Sequence, residues 1–430
     1  MRVPTKLRVT FFVYDYADVS GGHNTWLTRF LPLLRQRGID VQVLCCEKTP
    51  GLPTARALLD AGFPCVMMPE HKLKYTKRRV RWILARLLAY PPDVFVINAV
   101  YPAAYYAARW LREAGIPTIG ICHGMMSFYE GLLDQFVEAR SPYQVSALVC
   151  VSTWLLRDVM QRHPQCIFVH SIPCGVRIPA TVAQAPNGRL RLVYVGRLTE
   201  EYKQISALVR GFCRVVREVE GTEAVIYGDG PAQLEVERIL RVEGASLPVQ
   251  FAGYVANEEI PSRLLDCHAI VSLSEREGLG ISLLEGMASG VVPIALRGAP
   301  GVTEFVLDNQ TGLLVDNRGD AFVAAVRRLR QDPALWERLA RAARAKVAAN
   351  YSDKICADRW QALLHEIRAD YSEFGHWPLR MPRWLELPPI HPALAWLDPR
   401  PPHQERVRRL AGRVRRFLGV RHEDSSGGGK

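Results

Sequence analysis

The stretch 274–290, SEREGLGISLLEGMASG, decides the fold. The apolar run HAIVSL at 268–273 leads into it, and Ile281, Leu284 and Ala288 recur at helical spacing within it. Strand, loop and helix therefore meet here. Gly278 and Gly280 place Glu277 in the loop, whereas Glu285 falls about one turn into the helix. The backbone N–H groups of Leu279, Gly280 and Ile281 are helix-start donors with no intrahelical partner, and the helix dipole favours an anion beside them. Such a turn can seat a phosphate. Glu285 is then placed to accept from ribose hydroxyls, as an acidic residue does in dinucleotide folds. Glu277 would project beside the phosphate, toward a sugar. Two glutamates alone are more often solvated surface groups, and the Gly-x-Gly turn between them at a strand–helix junction weakens that alternative.

Outward from this stretch, the same alternation covers most of the chain. Strand-like runs fall at 7–14, 40–45, 63–68, 92–98, 117–122 and 147–151, with helical patterns between them. The texture changes near 172–190, where Pro, Gly and small residues suit a linker. Strands then resume at 190–195, 223–227, 248–251, 268–273 and 291–296, followed by helical patterns at 334–349 and 353–370. Apolar strands alternating with helices imply an α/β architecture with parallel sheets covered on both faces. Two such units of similar size make a cleft, and ligands bind beyond the carboxyl ends of the strands.

Other segments place chemistry at those ends. In LVYVGRLTEEYKQI (192–205), Arg197 and Lys203 follow a strand, and two cations at the mouth of a sheet suit a diphosphate. Exposed solubilising charge is the equal alternative for that segment alone. Gly21 and Gly22 begin the first helix and allow close backbone approach, although a simple tight turn explains a lone pair as well. His123 follows a strand directly and should sit at the cleft edge; a lone histidine is more often structural, and the strand-end position raises the functional reading. No Asp-x-Asp triplet occurs anywhere, and no CxxC pair exists among the ten cysteines. We expect no metal, and reduced, buried thiols.

Taken together, these segments resemble glycosyltransferase family 4, the large retaining family with the GT-B fold. The likeness spans about 7 to 370. Its most specific element is the Glu–seven residues–Glu motif met by Glu277 and Glu285. In the expected order come GRL…K at 196–203, GDGP at 228–231, FAGYV at 251–255, ASGVVPIA at 288–295, PGVTEFV at 300–306 and TGLLV at 311–315. The resemblance implies two Rossmann-like domains facing across a cleft: an acceptor-binding domain over 1–180 and a nucleotide-sugar-binding domain over 188–350. A helix at 351–371 would pack back on the first domain, and 372–430 would be a Pro/Trp-rich segment with a basic amphipathic tail. Arg197 and Lys203 would bind the donor diphosphate and Glu285 the ribose, Glu277 and His123 would lie beside the transferred sugar, Val255 would face the base, and Gly21 and Gly22 would close over the phosphates. Transfer from a nucleotide-diphosphate sugar would retain stereochemistry through front-face attack, with the departing phosphate oxygen taking the acceptor's proton. Two positions depart from the family pattern. Cys174 stands where Asn usually precedes Gly-Val, and the spacer between Arg197 and Lys203 has five residues, one more than usual.

The net charge of +12 concentrates in two segments, 71–90 and 403–418, each a helical apolar stripe flanked by Lys and Arg. Core packing with a solvated basic face explains either one. Docking to an anionic membrane is the other reading, with a glycan or lipid-linked acceptor in cell-surface polysaccharide synthesis. With no transmembrane span and no signal peptide, we expect a cytoplasmic protein, peripheral at the inner membrane face. Nucleic-acid binding explains the charge but not the motifs. A GT-B sugar-nucleotide epimerase and a silent scaffold are the competing classes.

Overall fold

The computed structural model describes residues 6–15, 22–47, 53–164, 168–372 and 378–401. Two sheets, each wholly parallel, account for the alternation. The first is built from β1 (Arg8–Asp15), β2 (Asp40–Glu47), β3 (Cys65–Met68), β4 (Val94–Ile97), β5 (Thr118–Cys122), β6 (Ala147–Cys150) and β7 (Phe168–Ser171), in the order β3-β2-β1-β4-β5-β6-β7. The second comprises β8 (Leu190–Val195), β9 (Thr222–Tyr227), β10 (Val249–Gly253), β11 (Ala269–Ser272), β12 (Val292–Leu296) and β13 (Leu313–Val315), in the order β10-β9-β8-β11-β12-β13. The strand order reverses between β1 and β4 and again between β8 and β11, so each sheet has a switch point where loops diverge and leave a crevice. β4, β5, β6 and β11 are buried along their whole length, as their unbroken apolar runs require in a sheet covered on both faces.

β7 and β13 fall where no strand was expected from the periodicity. Both are short and occupy a sheet edge, and β7 reads FVHS with no fully buried residue. Edge strands need only one satisfied side, so their apolar signal is weak.

The chain crosses between the sheets twice at one place. Val176 N–H donates to the Tyr351 carbonyl and Asp353 N–H returns to the Val176 carbonyl, each at 2.9 Å. Beyond that crossing the helix Asp353–Ser372 lies on the first sheet's layer. Trp360, 1% exposed, packs its ring 5.6 Å from Phe30 and 6.4 Å from Trp26. Arg37 pairs with Asp358 at 2.6 Å, and Arg368 reaches Asp93.

The basic helix Thr76–Ala89 resolves one ambiguity. Val80, Ile83, Leu84 and Leu87 are fully buried in the core, and Trp82 is half-buried with the Arg86 guanidinium over its ring. The apolar stripe is therefore packing surface and not available for insertion into a bilayer, which corrects that part of the expectation. Lys74, Arg78, Arg81 and Arg86 remain exposed. The segment 403–418 lies outside the described residues. Among the described residues, no helix is long and apolar enough to cross a membrane.

Candidate active site

The second sheet's switch point brings the sequence-predicted residues together. The loop after β8 carries Arg197 and Lys203, and the loop after β11 carries Glu277. Glu275 N–H donates to the Tyr202 carbonyl at 3.0 Å, tying the two loops side by side. Lys203 Nζ pairs with Glu277 Oε1. The Ser272 hydroxyl also reaches this carboxylate at 3.4 Å. The pair is largely enclosed, with side chains 26% and 10% exposed. Gln204, next to Lys203, holds a left-handed backbone at φ 49°, a conformation non-glycine residues seldom adopt outside constrained sites. Arg197 is exposed, and no polar partner of its guanidinium occurs among the described residues. Its carbonyl accepts from the Tyr194 hydroxyl at 2.8 Å, which pins the turn from below.

The helix expected after the loop runs Ile281–Ala288, with Gly280 as its left-handed N-cap at φ 83°. Gly278 is needed for a different reason. A Cβ there would collide with the His123 carbonyl oxygen, so only glycine lets this loop approach the first domain. Leu279 is buried and Ile281 half-buried, and the Ile281 side chain lies 3.5 Å from where a Cβ on Gly22 would stand. Gly22 opens the helix Gly22–Gln36. Gly21 lies outside the described residues.

His123 sits at the end of β5, where the sequence placed it. Its Nε2 lies 2.9 Å from Asn98 Oδ1. The Asn98 amide nitrogen faces Asn24 Oδ1 and the His23 carbonyl, so Oδ1 must accept and His123 Nε2 carries the proton. Nδ1 points toward the Cys174 thiol at 4.0 Å. Burial, aided by nearby His23, holds the His123 imidazole well below its ordinary pKa. It is thus a neutral group engaged at both nitrogens, fitted to shape the cleft wall more than to shuttle protons.

Two residues were not singled out in the sequence. Arg29, on the first helix, extends across the cleft and its Nη1 donates to Glu285 Oε1 at 2.7 Å. Its Nε and Nη2 are buried without a partner among the described residues. Glu304, within PGVTEFV, caps the helix Thr153–Gln161 of the first domain by accepting from Thr153 N–H at 3.1 Å and Trp154 N–H at 2.5 Å. No local pattern marks either contact, because each joins residues 150 or more positions apart. Val255 lines a cavity of about 480 Å³ along β10 that reaches as far as Arg191. Two residues on, the Asn257 amide donates to the Thr25 hydroxyl at 3.2 Å, so this loop also faces the first domain. Among the described residues no cluster of three His, Cys, Asp or Glu side chains could hold a metal ion.

Two family models cover most of this architecture: Glycosyltransferase Family 4 over residues 20–178 and Glycosyl transferases group 1 over 181–346. The lipopolysaccharide core biosynthesis glycosyltransferase LpsD of Rhizobium meliloti (strain 1021) is 34% identical over 81% of this chain and 96% of its own length. The chain belongs to glycosyltransferase family 4. The alpha-D-kanosaminyltransferase of Streptomyces kanamyceticus is 28% identical over 62% of this chain and 74% of its own. Among solved structures, Anabaena Alr3699/HepE in complex with UDP and glucose superposes with a TM-score of 0.67 at 16% identity, covering 83% of this chain and 99% of that one. A mutant S. aureus TarM in complex with Fondaparinux, alpha-GlcNAc-glycerol and UDP gives the same TM-score at 12% identity, over 83% and 99%. The protein is a glycosyltransferase of the GT-B type. Family membership gives a frame for Arg29: it holds one oxygen of the second glutamate of the family's paired-glutamate motif, and among the described residues the other oxygen has no partner.

Proposed function

We propose that this glycosyltransferase is a retaining hexosyltransferase. In this reading it draws on a nucleotide-diphosphate sugar without a metal and serves a glycan or lipid-linked acceptor in surface polysaccharide or glycolipid synthesis. The observation that supports it is the pairing of Lys203 with Glu277 at a switch point whose β8 loop also carries exposed Arg197, beside the helix start that carries Glu285. Arg197 and Lys203 supply positive charge for a leaving diphosphate, the part a divalent cation has in other sites. Glu285 Oε2 is free to accept from ribose hydroxyls while Arg29 occupies Oε1. Glu277, anchored by Lys203, positions the sugar and favours positive charge developing at its reacting carbon. His123, neutral and held by Asn98, lines the sugar's side of the cleft. Front-face attack then needs no protein base, because the departing phosphate oxygen accepts the acceptor's proton.

The bound ligands of HepE and TarM make UDP-hexoses the first donors to try, and the lipopolysaccharide-core role of LpsD points to a cell-surface acceptor. The test is nucleotide release from UDP-, GDP- and ADP-sugars, with and without lipid extract and with and without EDTA. One donor should turn over, undiminished by EDTA. Silence with every donor favours a scaffold role, and release that collapses on chelation rejects the metal-free account.

A further inference from the structure

The family models end at residue 346, yet the chain continues as an ordered strap over 378–401 that lies across the first domain. It is anchored by specific bonds along its length. The Tyr143 hydroxyl donates to the Glu386 carbonyl at 2.5 Å, and His391 N–H donates to Gln135 Oε1 at 3.0 Å. Leu385, Leu394 and Leu397 are buried. Asp398, 1% exposed, accepts from the Tyr106 hydroxyl at 2.9 Å and pairs with Arg400, whose guanidinium lies over the Tyr106 ring. The Pro399 carbonyl accepts from Thr76 N–H at 3.0 Å. A buried ion pair and three buried leucines make this a fixed wall.

What the wall encloses is a cavity of about 390 Å³ beyond the carboxyl ends of β1, β3 and β4, bounded by Tyr14, Tyr101, Glu70, Arg79, His71 and the strap's Trp396. Its volume falls in the range of about 300–1,000 Å³ usual for small-ligand sites. Arg79 and Glu70 pair at 2.8 Å with side chains only 11% and 13% exposed, and the Tyr101 hydroxyl donates to Glu70 at 3.1 Å. Trp396 stands out against this order. It is 63% exposed, and its recorded ring contact is edge-on to Phe128 at 6.3 Å. Phe128 itself belongs to the helix Ser127–Leu133, which starts four residues after His123. A large aromatic left exposed on a rigid support, next to a fixed carboxylate and guanidinium, matches a pyranose ring. Such a ring would lay its C–H face on the indole while its hydroxyls donated to Glu70 and accepted from Arg79.

We propose that the strap builds the acceptor subsite, with Trp396 as the platform for an acceptor sugar ring. This rests on the glycosyltransferase reading above for its role, but not for its ligand chemistry. The probes are methyl α-glycosides of glucose, galactose, mannose and N-acetylglucosamine at tens of millimolar, followed by saturation-transfer NMR on the full chain. At least one should give a signal that falls at least fivefold in Trp396→Ala and recovers in Trp396→Phe, while binding of UDP stays unchanged in all three proteins. Trp396 is exposed enough that its loss should leave the melting temperature within about 2 °C, and thermal melting checks this. Equal signals from wild type and Trp396→Ala, or no signal from any glycoside with wild type, overturn the subsite. Glycoside binding that depends on Trp396, in a protein that releases no nucleotide from any donor, upholds the subsite and removes the transferase reading instead.

Discussion

Glu277 is held from two sides, by the Lys203 ammonium and the Ser272 hydroxyl, and it is the acid nearest the helix start that would take the phosphate. Glu277→Gln keeps the shape and removes the charge. Nucleotide release should drop by about 100- to 1,000-fold, the usual cost of losing one preorganised electrostatic contact to a transition state. Circular dichroism melting should show an intact fold, and undiminished turnover would refute the role. The histidines at the same crevice make a second prediction. Burial lowers His23 to about 4, and it pushes His123 down as well. In the unfolded chain both titrate near 6.5. Below that pH the unfolded state binds more protons than the folded one, so the stability these groups contribute is present above about 6.5 and declines as the pH falls toward 4. Urea midpoints at pH 7.5 and 5 should therefore differ less in His23→Gln than in wild type, a comparison in which the titrating groups other than the neighbouring His123 cancel. An unaltered difference would mean that His23 is not held neutral by the fold.

Among the elements, the helix Gly22–Gln36 spans the cleft without leaving its own domain. Gly22 meets Ile281, Thr25 meets Asn257 and Arg29 meets Glu285, at successive turns. Arg29 is the charged member of this row. With Oε1 of Glu285 taken, the carboxylate is fixed in orientation for whatever donates to its second oxygen. Arg29→Ala should raise the donor KM by about 10- to 150-fold, in line with roughly 1.5–3 kcal/mol for a hydrogen bond to a charged group, with a smaller change in kcat. Arg29→Lys should recover part of it. A lower KM in the alanine variant would show that Arg29 competes with the donor and does not position its partner.

At the scale of the whole molecule, the charge of +12 includes an exposed cluster on the helix Thr76–Ala89, where Arg78, Arg81 and Arg86 face outward. With its apolar stripe in the core, that helix can meet an anionic surface only by charge, at about 1 kcal/mol per basic side chain near the membrane. Flotation with anionic liposomes should carry the protein up at low salt and leave it behind at about 1 M salt, where the Debye length of ~3 Å is under half its physiological value. Arg78→Glu combined with Arg81→Glu should weaken the low-salt binding. Binding indifferent to both changes would move the membrane contact elsewhere or abolish it.

The sequence by itself determined the layered α/β plan and which residues gather at the second sheet's switch point. Apolar runs of strand length mark the described strands other than the edge strands β7 and β13, and the Gly-x-Gly turn fixes where Glu277 leaves the sheet. Both signals reside within a dozen residues, so they survive without knowledge of packing. The paired loops after β8 and β11 were legible for the same reason, since strand ends at a switch point must lie side by side. Tertiary structure alone decided the rest. Val80, Ile83, Leu84 and Leu87 form a stripe that would suit a bilayer equally well, and only their burial against the first domain identifies them as core. Arg29 meets Glu285, 256 positions away, and Trp396 closes a cavity whose other walls lie near residues 14, 70 and 101. Such contacts carry no local period, because they are set by how two rigid layers and a returning strap pack together, and a side chain's neighbours across a cleft leave no trace in the spacing of its own segment.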